Sequence, residues 1–432
     1  MNDSSVAAQH PTEQVNFEWV YYAINKRKEN KGNMTRRPLE GVRVLDLTQA
    51  YSGPFCTMHL ADLGAEVLKI ENPGSGGDQT RGWGPFKNDF SAYFSLINRN
   101  KKGLTLDMKQ EEGKEIFKEL IKNADIVCEN YKVGTLEKLG FSYEVMKEIN
   151  PRIIYASISG FGRQGKYATR PCYDVVAQGM SGMMSVTGFP DGPPVKIGPS
   201  VGDNYSGSYL SIGILAALYS RTVTGEGSRI DVAMVDTLFS VMENFVVMYT
   251  VGGLTPHRAG NIDPGIAPFD SFRGKDADFV MGCGTDPMFR KICVAMGKPE
   301  LADNPLYSTN RGRCDNYLPG LKAIIEEWSM TKTMAELEEI FVGLGVPFGQ
   351  IQTIPEIAEH EIIRDRNMLW DVYQPGIDEN IRICGSVIKV EGMPDEIQKA
   401  APLLGESNEE IYKSLLGMSD ERLAKLKADG VV

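Results

Sequence analysis

The chain has 432 residues, 42% apolar and 24% charged, with a formal net charge of −11. Such a length suits one large domain or two, and the composition is that of an ordinary globular protein. The acidic balance argues against general nucleic-acid binding, which needs a basic face, but leaves room for a small anionic ligand on a local basic cluster.

Residues 1–37 are polar; "NFEWVYYAINKRKENKGN" has the pattern of a short amphipathic helix ending in basic residues, which suits a surface arm better than a targeting element. From Leu39 the pattern becomes regular. "VRVLDLT" reads as a strand, "GPFCTMHLADLGA" as a helix and "EVLKIE" as a second strand, a βαβ unit. Then follow the strand "GLTLDM", the helix "QEEGKEIFKELIKNA", the strand "DIVCEN", the helix "YEVMKEIN" and the strand "RIIYASIS". Strands alternating with helices predict a parallel sheet covered on both faces, with ligands bound beyond the carboxyl ends of the strands. The loops after Thr48, Glu71, Asn130 and Ser159 are therefore the places for a site.

A helical run after Asp203 leads through "TGEGSRIDVAM" into a buried helix, "VDTLFSVMENFVVMYTVG". Beyond about Gly253 the texture changes. "IAPFDSFRGKDADFVMGCG" reads as an antiparallel hairpin with Gly274 near its turn, followed by helices near 286–297, 316–328 and 332–344. The expected organisation is an arm (1–37), a large Rossmann-like domain (38–252), a smaller α+β domain (253–354) and a return to the large domain (355–432). In the return, "SNEEIY" carries an S-x-x-E helix-capping pattern, Ser407 to Glu410.

No run of about eighteen apolar residues predicts a membrane span, and "MNDSSVAAQHPTEQ" lacks the basic and apolar regions of a secretory leader. Seven scattered cysteines without a CxxC pair suit reduced thiols in a cytoplasmic protein. The four histidines (His10, His59, His257 and His360) have no metal-ligand spacing, and neither HExxH nor GxSxG occurs. No metal is expected, and the common zinc and serine hydrolases are disfavoured.

"GFGRQG", Gly160 to Gly165, spells a dinucleotide fingerprint, but "KYATRP" follows and no helical period opens inside it, so nicotinamide or flavin binding is not expected. In "NRNKKG" the residues Arg99, Lys101 and Lys102 form a basic loop, either a solvated face or a phosphate site beside the turn "LTQAYSGP". One carboxylate stands out. In "KIGPSVGDNYSGSY", Asp203 lies among small residues just before an apolar run. A helix cap and a chemical group are both open readings on these residues alone.

From "PLEGVRVLDLT" to "APLLGE" the chain resembles the class III CoA-transferases, the formyl-CoA transferase-like group. The resemblance is carried by "GPFCTMHLADLGAEVLKIENPGSGGDQTRGWGP", "NRNKKGLTLDMK", "CENYKVGTLEKLGF", "NPRIIYASISGFG", "YDVVAQGMSG", "VGDNYSG" and "GNIDPGIAPFDSF", in that order. It implies two subunits interlocked like chain links, acyl-CoA and carboxylic acid as substrates, and Asp203 as the nucleophile that takes the acyl group and then CoA. For coenzyme A it implies contacts at Tyr51 and Ser52, at Leu106, Asp107, Met108 and Lys109, at Asn130 and Tyr131, and at Lys138 and Tyr173. A basic residue common after "KIE" is Asn72 here, and the glycine-rich loop over the formyl-CoA transferase site has no clear counterpart, although Gly260 lies in that region. The acids expected are short mono- or dicarboxylates of the oxalate or succinate type, with Arg258 either a partner for a second carboxylate or a surface arginine.

Two other readings stay open. An acyl-CoA racemase of the same superfamily uses a histidine thirty residues before the aspartate, where this chain has Tyr173, a poor base at neutral pH. A non-catalytic CoA-binding protein would not need the intact "VGDNYSG".

Overall fold

A computed structural model describes residues 37–432, so all but the last residue of the expected arm lies outside them. Six strands form one parallel sheet: β1 (Arg43–Asp46), β2 (Glu66–Glu71), β3 (Lys101–Thr105), β4 (Ile126–Glu129), β5 (Ile154–Ser159) and β6 (Arg229–Ala233). Their spatial order is β3-β2-β1-β4-β5-β6, with Leu45 of β1 opposite Leu68 and Val127. This is the doubly wound order, in which the chain reverses its direction of travel between β1 and β4. The last strand, β6, was not anticipated from the sequence. It lies at the sheet edge with Arg229 and Asp231 exposed, and so lacks the apolar run of its neighbours.

Alternation along the strands sorts the core into two layers. Leu45, Leu68, Leu104 and Val127 face Phe117 and Leu120 of helix α2 (Glu111–Lys122), while Val44, Val67, Ile126 and Ile154 face the other way. The second layer is closed by Cys56 and Leu60 of α1 (Ser52–Asp62) and by Leu210 and Ile214 of a long helix, Val201–Thr224. That long helix is α4; α3 (Asp174–Met180) precedes it. The tight crossing of α1 and α4 depends on Gly207, where a Cβ would come within 2.6 Å of the Ser52 carbonyl oxygen.

The basic loop expected at 98–103 is not a loop. Lys101 and Lys102 begin β3, and all three cations are committed to carboxylates. Arg99 pairs with Asp62 at 2.7 Å, Lys101 with Asp46 at 3.0 Å, and Lys102 with Glu66 and Glu410 at 2.8 and 2.7 Å. The phosphate reading of this cluster is thereby withdrawn. The buried helix expected across 235–252 is two helices, α5 (Met234–Ser240) and α6 (Asn244–Thr250), broken where Glu243 adopts a φ of 49°. No residue of α6 is buried.

Residues 267–348 pack a separate core. Strands β7 (Phe269–Arg273), β8 (Asp278–Gly282) and β9 (Phe348–Gln350) form an antiparallel sheet, whose Phe272 and Phe279 pack against Ile292, Leu321 and Phe341. Helices cover Asp286–Ala295, Lys322–Ser329 and Met334–Leu344. The middle one starts later than its pattern suggests because Leu318, just before Pro319, is extended.

The chain then returns to the first sheet. The free edge of β3 is sealed by distant residues: the Ser407 amide donates to the Gly103 carbonyl, Thr105 donates its amide to Asn408 Oδ1, and Tyr412 Oη donates to the Thr105 carbonyl. Helix α7 (Asn408–Leu416) begins here without the expected capping box, because Glu410 is engaged with Lys102 and the Ser407 hydroxyl makes no hydrogen bond.

Asp46 and Lys101 are fully buried, so removing one partner leaves the other charge without compensation. Lys101→Met is expected to lower unfolding stability in urea by about 3–5 kcal/mol. Lys102→Met, at a partly exposed pair, should change it by about 1 kcal/mol or less. Equal losses would show that burial does not separate the two.

Candidate active site

The reversal between β1 and β4 opens a crevice at the carboxyl ends of these strands. Four side chains fix the turn that follows β1. Asp46 Oδ1 accepts from the Thr48 amide and hydroxyl at 2.9 and 2.5 Å. From β4 comes Asn130, which accepts from the Gln49 amide at 2.8 Å and donates to its carbonyl at 2.7 Å and to Ser52 Oγ at 3.3 Å. From β2, buried Lys69 donates to the Thr48 carbonyl at 2.5 Å and to Asp78 at 2.6 Å, while Asp78 accepts from the Ala50 amide at 3.2 Å. Ala50 has a φ of 62°, a left-handed conformation that costs an L-residue about 1 kcal/mol or more. The outcome of this bracing is to hold Tyr51 and Ser52 at the start of α1, facing α4.

On α4 lies Asp203, and it does not cap the helix. The helix starts at Val201, two residues before it, and Ser200 at the capping position makes no side-chain bond. The cap comes from α3: Asp174 Oδ1 accepts from the Gly202 amide at 2.8 Å, while its other oxygen accepts from Gln178 at 2.7 Å. Asp203 is left in the first turn, beside the Ser52 hydroxyl. Burial, aided by the Asp174 charge, pushes its carboxyl up to about 7, with Ser52 pulling the other way. Next to it, the Ser206 hydroxyl is buried and makes no hydrogen bond among the described residues.

A cavity of about 320 Å³ opens onto Asp203. Its lining includes five of the residues singled out from the sequence, Ser52, Asn130, Tyr131, Tyr173 and Asp203 itself. Tyr51 stands beside it, its ring stacked on Phe55 at 5.5 Å and tilted against Tyr93 at 5.8 Å; burial and the nearby Asp203 charge push its hydroxyl up to about 12. The other expected CoA contacts do not line the cavity. Leu106 and Met108 are core residues, and the Leu106, Asp107 and Lys109 amides are bonded to Glu71, Val431 and Asp107. Lys109 and Lys138 are exposed farther along the same end of the sheet. Asn72 is committed at both ends of its amide, to Asp107 and to the Gly74 amide. Arg258 also lies outside the lining and donates to the carbonyls of Phe189 and Gly192.

Sequence reasoning passed over several members of this neighbourhood. Gln49, Lys132, Ser159 and Arg170 line the cavity. The Ser159 hydroxyl is buried without a partner, and Trp83 packs edge-on against Tyr93 at 5.7 Å. The signal for Ser159 was its place at the end of β5; the others lie in polar loops whose direction no local pattern sets. No helix opens within "GFGRQG", and its Arg163 is held by Glu129 at 2.9 Å and by Glu137. A larger hollow of about 490 Å³ at the amino ends of the strands is lined by Arg43, Glu66 and Lys102, where Glu66 is shared by the two cations. Among the described residues no helix is long and apolar enough to cross a membrane, and no group of three or more side chains is placed to hold a metal ion.

The site thus joins a partly buried carboxylate, small neighbours and a cavity at the switch point of a doubly wound sheet. Comparison with known proteins gives the family. The family model "CoA-transferase family III" matches residues 39–408, and the chain belongs to that family, as a class III CoA-transferase acting on CoA thioesters. It is 40% identical over 378 residues to the acetyl-CoA:oxalate CoA-transferase of Acetobacter aceti, covering 87% of this chain and 95% of that one. It is 42% identical over 387 residues to the succinyl-CoA:mesaconate CoA-transferase of Haloarcula hispanica, covering 86% and 95%. Among solved structures, a CaiB/BaiF family protein from Brucella suis superposes with a TM-score of 0.78 at 36% identity, over 88% of this chain and 100% of that one.

A carboxyl whose folded pKa is raised opposes folding when it ionises. For Asp203 the penalty is absent below the unfolded value near 3.9, grows as pH rises, and is complete above about 7. Asp203→Asn is therefore expected to melt at a higher temperature than the wild type at pH 8, by a margin that narrows towards pH 5. A lower melting temperature at pH 8 would contradict the strained carboxylate.

Proposed function

We propose that this enzyme moves CoA from a short acyl-CoA to a small dicarboxylate through covalent intermediates on Asp203. The single observation that carries this is the partly buried carboxylate of Asp203, at the mouth of α4 and open to the cavity at the switch point. A carboxylate oxygen of Asp203 attacks the thioester carbonyl, the C–S bond breaks, and the CoA thiolate leaves a mixed anhydride. The thiolate then attacks the Asp203 carbonyl carbon and expels the donor acid, giving an aspartyl-CoA thioester. The acceptor carboxylate attacks that carbon in turn, releasing the thiolate, which finally attacks the acceptor acyl carbon and frees Asp203. No net proton is gained or lost, which suits a site without histidine. Ser52 Oγ and the unpartnered hydroxyls of Ser206 and Ser159 are donors suited to the oxyanions of these steps.

The choice of acids follows the names of the relatives: acetyl- or succinyl-CoA as donor, and an acceptor of the oxalate or mesaconate type. The separate core at 267–348 supports dividing the chain into a large domain (38–252 with 355–432) and a small one (253–354). An interlocked homodimer is supported by α4, which presents Tyr205, Tyr209, Ile212, Tyr219 and Val223 to solvent, an apolar stripe that a second copy would cover. Seven free cysteines suit a reducing, cytoplasmic setting.

Incubation with acetyl-, succinyl- and formyl-CoA, followed by peptide mass spectrometry, is expected to find an acyl or CoA adduct on the peptide carrying Asp203, absent from Asp203→Ala. Exchange of an α-proton into heavy water with no adduct would replace the transferase by a racemase. The nucleophile must be ionised, so kcat/KM should fall below about pH 7. Asp174→Asn removes the neighbouring charge while keeping an acceptor for the Gly202 amide, and should move that limb to lower pH. An unmoved limb would deny Asp174 its electrostatic part.

A further inference from the structure

Among the described residues, two cations line the cavity that holds Asp203, namely Lys132 and Arg170. The arginines around the site are otherwise committed. Arg163, from the same loop as Arg170, is shared by Glu129 and Glu137, and Arg81 is held by Glu71 at 2.6 Å. The Arg170 guanidinium has no carboxylate partner and no hydrogen bond among the described residues. It is nonetheless placed. Its central carbon lies 5.0 Å from the centre of the Tyr167 ring and 5.9 Å from that of Phe161, the two rings being 5.7 Å apart. A backbone bond of 2.9 Å from the Arg170 amide to the Tyr167 carbonyl closes the turn that keeps the side chain against this aromatic shelf.

We infer that Arg170 takes the diphosphate of the CoA thioester, with Lys132 as the second cation of the same cavity. The inference rests on reading the cavity as the CoA site. A stacked guanidinium keeps its planar fork of donors free for a bidentate anion, and the stacking limits the rotamer freedom lost on binding. Asp203 is half-buried and Arg170 exposed, so the thioester belongs at the inner end of the cavity and the charge at the outer one. The intervening pantetheine arm is uncharged and meets a lining that includes Val133, Ile158 and Met234. A diphosphate suits Arg170 better than the acceptor's carboxylate, because the acceptor has to reach the Asp203 carbonyl carbon.

The test is calorimetric titration of the full chain with CoA, 3′-dephospho-CoA and pantetheine. Arg170→Gln, an exposed position whose change leaves the core intact, is expected to weaken CoA and 3′-dephospho-CoA alike, by roughly ten- to a hundredfold, and to leave pantetheine unchanged. Arg170→Lys should fall between, since it keeps the charge and loses the fork. Loss confined to CoA would transfer Arg170 to the 3′-phosphate, and unaltered affinities would remove it from recognition; either overturns the inference while the CoA reading stands. Wild-type protein that fails to bind CoA would instead remove the reading of the cavity itself.

Discussion

The buried pair of Lys69 and Asp78 is the constraint on which the site depends. Neither side chain meets solvent, and each reaches past the other to the turn after β1, Lys69 to the Thr48 carbonyl and Asp78 to the Ala50 amide. A turn so short cannot satisfy its own backbone groups, and Ala50 would relax from its left-handed conformation without support. Burying two charges for this purpose is expensive, and the cost is tolerable because the pair is closed by hydrogen bonds from Thr80 and anchored through Glu71. The same logic recurs one strand away, where Asp46 gathers Thr48, Thr57 and Lys101. Ionic chemistry beneath the crevice thus sets the geometry above it.

As the proposed nucleophile, Asp203 is poised between two demands. A nucleophile must shed its water, which burial achieves, and it must stay ionised, which burial opposes. The position of Asp203 in the first turn of α4 helps the anion through the helix dipole, and the Ser52 hydroxyl helps further. Asp174 works against it at a distance while holding the helix end in place. Dryness would also protect the proposed anhydride from hydrolysis.

Much of this was legible in the residues. Strands buried on both faces declare themselves by clustered apolar residues, so β1, β2, β4 and β5 were plain, and "VGDNYSG" singled out Asp203. What the sequence hid was long-range pairing. Lys101 and Lys102 look like a solvated loop because the carboxylates that receive them, Asp46, Glu66 and Glu410, are far away along the chain. The S-x-x-E signal at Ser407 failed for the same reason, since Glu410 found a better partner than its own helix end. Exposed β6 and the break at Glu243 were missed because neither changes the local apolar count. Arg170 was invisible since only the fold reveals that its loop borders the cavity while Arg163, seven residues earlier, is neutralised.

The sealing of β3 has a consequence in time. Thr105 waits for Asn408, which lies 303 residues downstream. At a synthesis rate of about 5–20 residues per second, roughly 15 to 60 s separate the appearance of the strand from that of its cover. Through that interval the nascent chain displays an open parallel edge, the kind of surface that pairs with other chains. The completed molecule shows no trace of this vulnerability, yet its production in a crowded cell places the burden on chaperones that shield an edge until translation is nearly over.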